Sequence, residues 1–208
     1  MRETPSQELI DLILHGSEER YLEYKRSVSW DDQDTKAKIT KCILGMANLR
    51  GGGYIVLGVE QRDGNSVPVG MQPDHARSFS HDKVVPQVNA HAKTSAEIEI
   101  KPVPYEGNEF VIIQVREFAD VPIICKKDAW VSNNKKQILS EGKIYTRSRR
   151  MHETVEVSDP DEMREIVDLA VDKGIRHFAE RMARTGILSL VTEPSDAERF
   201  DQELGELK

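Results

Sequence analysis

The sequence predicts an α+β domain: a mixed, mostly antiparallel sheet with flanking helices, followed by a C-terminal helical appendage. Three observations lead there. RYLEYKRSV (20–28), YIVLGV (54–59), AEIEIKPV (96–103) and EFVIIQV (109–115) have strand character, rich in β-branched and aromatic residues. The last two flank Tyr105-Glu106-Gly107-Asn108, a hairpin signature. From Ser158 an apolar period runs through Met163, Ile166, Val167, Ala170, Val171, Ile175, Phe178 and Met182, which spells one long amphipathic helix, weakened at Gly174.

Taken in order, PSQELIDLILH (5–15) has a short helical pattern with Ser6 as a candidate cap and a stop at Gly16. The strand at 20–28 follows. From Thr35 to Leu49, Ile39, Cys42, Ile43, Met46 and Ala47 recur at helical spacing, with Lys36, Lys38 and Lys41 on the other face, and Gly51-Gly52-Gly53 ends the helix. YIVLGV is a continuous apolar run suited to a strand buried on both faces, and Asp63-Gly64-Asn65 is a tight turn. His75 to Ala92 reads as a helix that begins near Pro86 or is kinked there. PIIC (122–125) and KIYTRS (143–148) read as further strands around a polar loop, SNNKKQILSEG. Residues 1–157 form the predicted domain and 158–208 the appendage, whose charged tail after Val191 is poor in aromatics and expected to be loose.

At 208 residues the chain can bury a real core without staples, and Cys42 and Cys125 offer neither disulfide nor zinc spacing, which suits a reducing cytoplasm. No stretch approaches a membrane span or a signal peptide. A net charge of −7 argues against general adhesion to phosphate backbones, but its distribution is uneven. Residues 126–150 carry eight Lys/Arg (Lys126, Lys127, Lys135, Lys136, Lys143, Arg147, Arg149, Arg150) against Asp128 and Glu141. Residues 151–208 carry seven against fifteen acids, so the acidity resides mainly in the appendage. The basic island is a candidate phosphate-backbone surface, weighed against an ordinary solvated charge cluster. Trp30 and Trp130 suit packing or loop anchoring, with base stacking by Tyr21 or Trp130 as the sharper alternative. His75, His81 and His91 lack metal-ligand spacing and suit surface or loop positions.

Glu23 and Lys25, two residues apart on a strand, share a face. A carboxylate that holds Mg2+ or Mn2+ beside a lysine that stabilises developing negative charge is half of a phosphodiesterase site. The bland reading of E-x-K is a solvated face or a weak ion pair. A second acid is needed. By strand parity Glu19 shares the face of Glu23, while Glu18 points away unless a turn or bulge intervenes at Gly16-Ser17, and periodicity leaves both open.

The ordered set GSEERYLEYKRS, a helix ending MANLRGGGYIVLGVEQRDG, then VGM, PIIC and KIYTRSRR resembles the Schlafen AlbA-like family from about residue 17 to about residue 157. The resemblance implies catalytic acids at Glu18 and Glu23 with Lys25 beside them, and a third acid just past the Gly58-Val59 strand. There this chain has Gln61, with Glu60 or Asp63 as substitutes, so the implied metal ligands are Glu18, Glu23 and Glu60 for Mg2+ or Mn2+. Asn48 and the glycines match the family's helix-to-strand turn, for which a structural role is expected, and Arg147 matches its Y-x-R. The implied function is a divalent-metal-dependent endonuclease acting on structured RNA or single-stranded nucleic acid, in a setting such as prokaryotic defence. RNA is favoured over duplex DNA, and Lys135, Lys136, Lys143, Arg147, Arg149 and Arg150 grip the backbone. The alternative, favoured by Gln61, is a non-catalytic nucleic-acid-binding or oligomerising module. Members often work as paired domains forming a basic groove, which implies a homodimer or a partner protein, here through the C-terminal helix.

Overall fold

The computed structural model describes residues 6–62, 65–131 and 136–185. Asp63, Gly64, Lys135 and the charged tail lie outside the described residues. In chain order the elements begin with α1 (Gln7–Leu14), β1 (Leu22–Lys25), α2 (Gln33–Ala47), β2 (Gly53–Leu57), β3 (Val59–Arg62) and β4 (Asn65–Pro68). Next come α3 (Pro73–Ser78), α4 (His81–Asn89), β5 (Ile98–Tyr105) and β6 (Asn108–Val115). The chain continues through β7 (Ala129–Val131), β8 (Lys136–Leu139), β9 (Tyr145–Arg147), β10 (Thr154–Glu156) and α5 (Pro160–Arg184).

The central sheet has the order β1-β2-β6-β5. β1 and β2 are parallel because α2 connects them, and the other two pairings are antiparallel. The period of two then sorts β1. Leu22 and Tyr24 join Val56, Phe110 and Ile112 in a core that Ile13, Leu9 and Leu12 of α1 pack against, while Glu23 and Lys25 project to the opposite face. α2 is capped by Asp32, whose carboxylate accepts from Thr35 N at 2.7 Å. It packs on β2 and β6 and also on β7, β8, β9 and β10, which is why Ala37, Ile39, Thr40 and every residue from Cys42 to Ala47 are buried. Gly45 lets β10 approach α2: an added Cβ would lie 2.4 Å from Thr154 Cγ2. Gly52 has φ +72°, and a Cβ there would lie 2.0 Å from Val115 O, so the α2–β2 turn tolerates no side chain.

Asn48 performs the structural role expected of it. Buried at the end of α2, it donates through Nδ2 to Ile123 O and Tyr145 O, both at 2.9 Å, and accepts from Ile123 N at 2.7 Å. Three distant segments are thereby pinned together. Other expectations shift. The 75–92 helix is two helices, broken at Phe79-Ser80, with Pro86 inside α4. PIIC contributes only isolated bridges, Ala92 to Cys125 and Ile124 to Ile144. The polar loop conceals the β7–β8 ribbon, and β10, unforeseen, pairs with β9.

One compact unit runs through Leu169 and includes the first turns of α5, where Ile166 and Leu169 are buried; the second begins at Ala170. Met163 and Val167 are exposed in the first unit, and Val171, Ile175 and Phe178 in the second. Among the described residues, no helix is long and apolar enough to cross a membrane.

Candidate nucleic-acid interface and the acidic centre

The choice left open between Glu18 and Glu19 is settled by a turn. Glu19 N donates to Leu22 O at 3.0 Å and Leu22 N returns to Glu19 O at 3.1 Å, so the chain doubles back immediately before β1. This reversal brings Glu18 alongside β1, where its Oε1 accepts from Tyr24 N at 3.0 Å. Burial, reinforced by the charge of Glu23, pushes the Glu18 carboxyl above its ordinary value, against the opposing pull of the Tyr24 N–H, Lys25 and Arg147. Glu18, Glu23 and Lys25 therefore share one electrostatic neighbourhood.

Both oxygens of Glu23 are engaged by cations. Oε1 pairs with Lys25 Nζ. Oε2 lies 2.7 Å from Arg147 Nη1, at an angle too poor for a directed hydrogen bond, so this buried oxygen is held by charge. Arg147 is 1% exposed, which corrects the expectation of a backbone-gripping arginine: its guanidinium cannot reach a bound phosphate. It is satisfied internally, donating to Arg20 O at 3.2 Å, Thr154 Oγ1 at 3.3 Å and His152 O at 2.8 Å. Burial pulls the Lys25 ammonium down, but the charge and hydrogen bond of Glu23 outweigh it and leave the net shift upward. Beneath them Cys42, fully enclosed in α2, has a thiol pushed up to about 11 by burial and then by Glu23, and it is inert as a nucleophile.

A dication of the Mg2+ or Mn2+ type needs several carboxylate oxygens free to turn toward it. Glu23 offers none without abandoning a buried arginine, and Oε1 of Glu18 is occupied by the Tyr24 N–H. Glu60, the expected third ligand, lies on β3 with its carboxylate taken by Arg62, 2.8 Å away, and Gln61 beside it is exposed. Among the described residues, no group of three or more His, Cys, Asp or Glu side chains is disposed to hold a metal ion. The side chains as arranged do not fit such an ion.

The rest of the basic island divides. Lys136 on β8 is exposed and lies near Lys41 of α2, whose ammonium stands 5.3 Å from the centre of the Tyr145 ring. Burial and then the charge of Lys136 lower the Lys41 pKa, a sign that the two cations are close. Lys143 is exposed but pairs with Glu156 at 2.5 Å. Arg149 and Arg150 are exposed, and Arg149 pairs with Glu165. Trp130, on the outward position of β7, is 52% exposed, a few residues along the chain from the exposed Lys126 and Lys127, and its strand pairs with β8. Trp30 is instead core, tilted against Phe79. Tyr21 is exposed. His75 is half-buried in α3 against Ser27, His81 is exposed at the start of α4, and His91 is buried in the turn that follows α4.

Two contributors escaped the sequence reading. Arg20 forks onto Glu165 and donates Nε to Arg147 O at 2.8 Å, and Lys41 flanks Tyr145. Helical spacing did place Lys41 on the polar face of its helix, but nothing local marked Arg20.

The order of these parts, an acid on a turn before E-Y-K, a pinned Asn48 turn and a Y-x-R strand, is matched by the family model described as Schlafen, AlbA_2 over residues 18–156. The chain belongs to that family. Membership makes this Schlafen AlbA_2 domain a nucleic-acid-related module. No curated protein matches it. Two solved structures are similar. The DIP2311 protein from Corynebacterium diphtheriae is 15% identical with a TM-score of 0.44, over 70% of this chain and 23% of that one. The N-terminal domain of a RecG-related protein from Nitrosomonas europaea is 22% identical with a TM-score of 0.44, over 70% of this chain and 96% of that one. The chain thus spans about a quarter of the first protein and nearly all of the second.

Proposed function

We propose that this Schlafen AlbA_2 domain binds single-stranded or structured RNA without cutting it. The observation that carries this reading is the double engagement of Glu23 by Lys25 and the buried Arg147. The positive charge that a dication would bring to an AlbA_2 acidic centre is here supplied by side chains. Binding falls to the exposed side chains of this region: Trp130 is a stacking platform, and the exposed Lys126 and Lys127 supply charge that tracks a backbone, while Lys136, paired with Val131, lies on the ribbon's other face beside Lys41. Stacking is tolerant of sequence and needs unpaired bases, so single strands and loops are preferred to duplex DNA. The test is fluorescence anisotropy with labelled RNA in EDTA. Binding that weakens with salt and with Trp130→Ala supports the proposal; metal-dependent cleavage overturns it.

The hydrolytic reading, a Mg2+- or Mn2+-dependent endonuclease using Glu18, Glu23 and Lys25, retains one supporting observation, the proximity that lets Glu23 raise Glu18. Its requirement is Mn2+-dependent RNA cleavage that Glu23→Ala abolishes. Partner binding by the C-terminal helix rests on its exposed apolar side chains, Met163 and Val167 in the first unit and Val171, Ile175 and Phe178 in the second. Sedimentation velocity tests it: concentration-dependent association lost on Ile175→Glu supports it, and a monomer at all concentrations removes self-association.

A further inference from the structure

We propose that Arg20 and Arg149 form a latent phosphate clamp, filled in this conformation by the carboxylate of Glu165, through which the domain takes a backbone phosphate of the nucleic acid. This deepens the nucleic-acid-binding reading and rests on it. Arg20 reaches Glu165 as a fork, Nη1 to Oε1 at 3.2 Å and Nη2 to Oε2 at 2.5 Å. Arg149 donates to the same Oε1 through Nε at 2.9 Å and through Nη2. Two guanidiniums meet on one carboxylate, with Glu162 near both of them and Asp159 and Asp161 near Arg149. Their four N–H donors converge on two oxygens, the arrangement that the two non-bridging oxygens of a phosphodiester require.

The clamp is built, not incidental. Arg20 is anchored by its bond to Arg147 O, and Arg147 is itself locked in the core, so the fork is held in place by the same buried network as Glu23. Arg149 leads directly to the exposed Arg150, and both line a crevice of about 320 Å3 with Ser148 and Ser158. Asp159, Asp161 and Glu162 also line it, and the first two lie close enough to Arg149 for their charges to act on it.

Exchange needs no movement of α5. The Glu165 side chain is 33% exposed, that of Arg149 51% and that of Arg20 26%, so the pair with Arg149 is the wetter and more weakly held of the two. Ile166 and Leu169 keep the helix seated while the Glu165 side chain turns out to water. A phosphodiester carries the same single negative charge as the carboxylate it replaces, so the exchange leaves the local charge balance intact.

The experiment measures affinity for a short labelled oligouridylate across 50 to 200 mM salt, for the full chain, Glu165→Gln, and Glu165→Gln with Arg149→Ala. If Glu165 masks one phosphate contact, its removal steepens the log–log salt slope by about 0.7, so the affinity advantage of Glu165→Gln is about 2.6-fold larger at 50 mM than at 200 mM. Adding Arg149→Ala should erase roughly half of that change. A Glu165→Gln slope equal to that of the full chain, with an unchanged melting curve, overturns the clamp and leaves the binding reading standing. Absence of RNA binding by either protein defeats the binding reading and the clamp with it. Should Glu165→Gln fail to fold, Arg149→Ala alone decides: a flatter slope than the full chain supports the clamp, and an identical slope overturns it.

Discussion

At the scale of single residues, Glu23 and Arg147 are coupled across 124 positions of sequence, and each justifies the other's burial. Removing one partner of a buried pair leaves an uncompensated charge, which costs on the order of 3–5 kcal/mol. Glu23→Gln should therefore lower the urea midpoint substantially, and replacing both Glu23 and Arg147 with apolar residues should recover part of the loss. Glu18 gives a pH signature of opposite character. Because burial raises its folded-state pKa, the folded protein holds that proton more tightly than the unfolded chain. The resulting stabilisation is complete below 4.5 and is lost as pH rises through the folded value. Glu18→Gln keeps an oxygen for the Tyr24 N–H and should flatten the fall in stability above pH 4.5, read from urea midpoints at several pH values. The pairing of Glu23 and Lys25 was legible because E-x-K fixes a shared face, whereas the approach of Glu18 depends on the turn at Glu19–Leu22, which strand parity could not decide. The burial of Arg147 was not, because a basic residue in a basic stretch carries no local sign of a partner so far away in the chain.

At the scale of elements, the strong apolar runs and the 105–108 hairpin were legible, since period and turn chemistry are local. The β7–β8 ribbon was not: its strands are three and four residues long, Lys136 and Gln137 face solvent, and the run reads as a polar loop. That ribbon carries Trp130, so the most informative surface aromatic emerged only with the fold. Trp130→Ala should weaken binding to single-stranded RNA by about 1–3 kcal/mol without changing the melting temperature, measured by anisotropy alongside thermal unfolding. The glycine turn ahead of β2 makes the contrasting case. Gly52→Ala places a Cβ against Val115 O and should destabilise the fold while leaving no specific mark on RNA recognition in whatever protein remains folded.

At the scale of the whole molecule, a chain of net charge −7 concentrates its cations in one stretch, and the fold sorts them by task. Arg147 neutralises the acidic centre, Arg149 joins Arg20 from outside that stretch in holding Glu165, Lys136 faces Lys41, and Lys126 and Lys127 are exposed. On the proposed reading, recognition of nucleic acid by such a surface does not depend on a dication. The direct measurement is RNA affinity and RNA integrity in parallel, with EDTA and with Mn2+, for the full chain and for Glu23→Gln. Equal affinity in both conditions, with intact RNA throughout, is the expected result. Cleavage that requires Mn2+ and disappears in Glu23→Gln would contradict it.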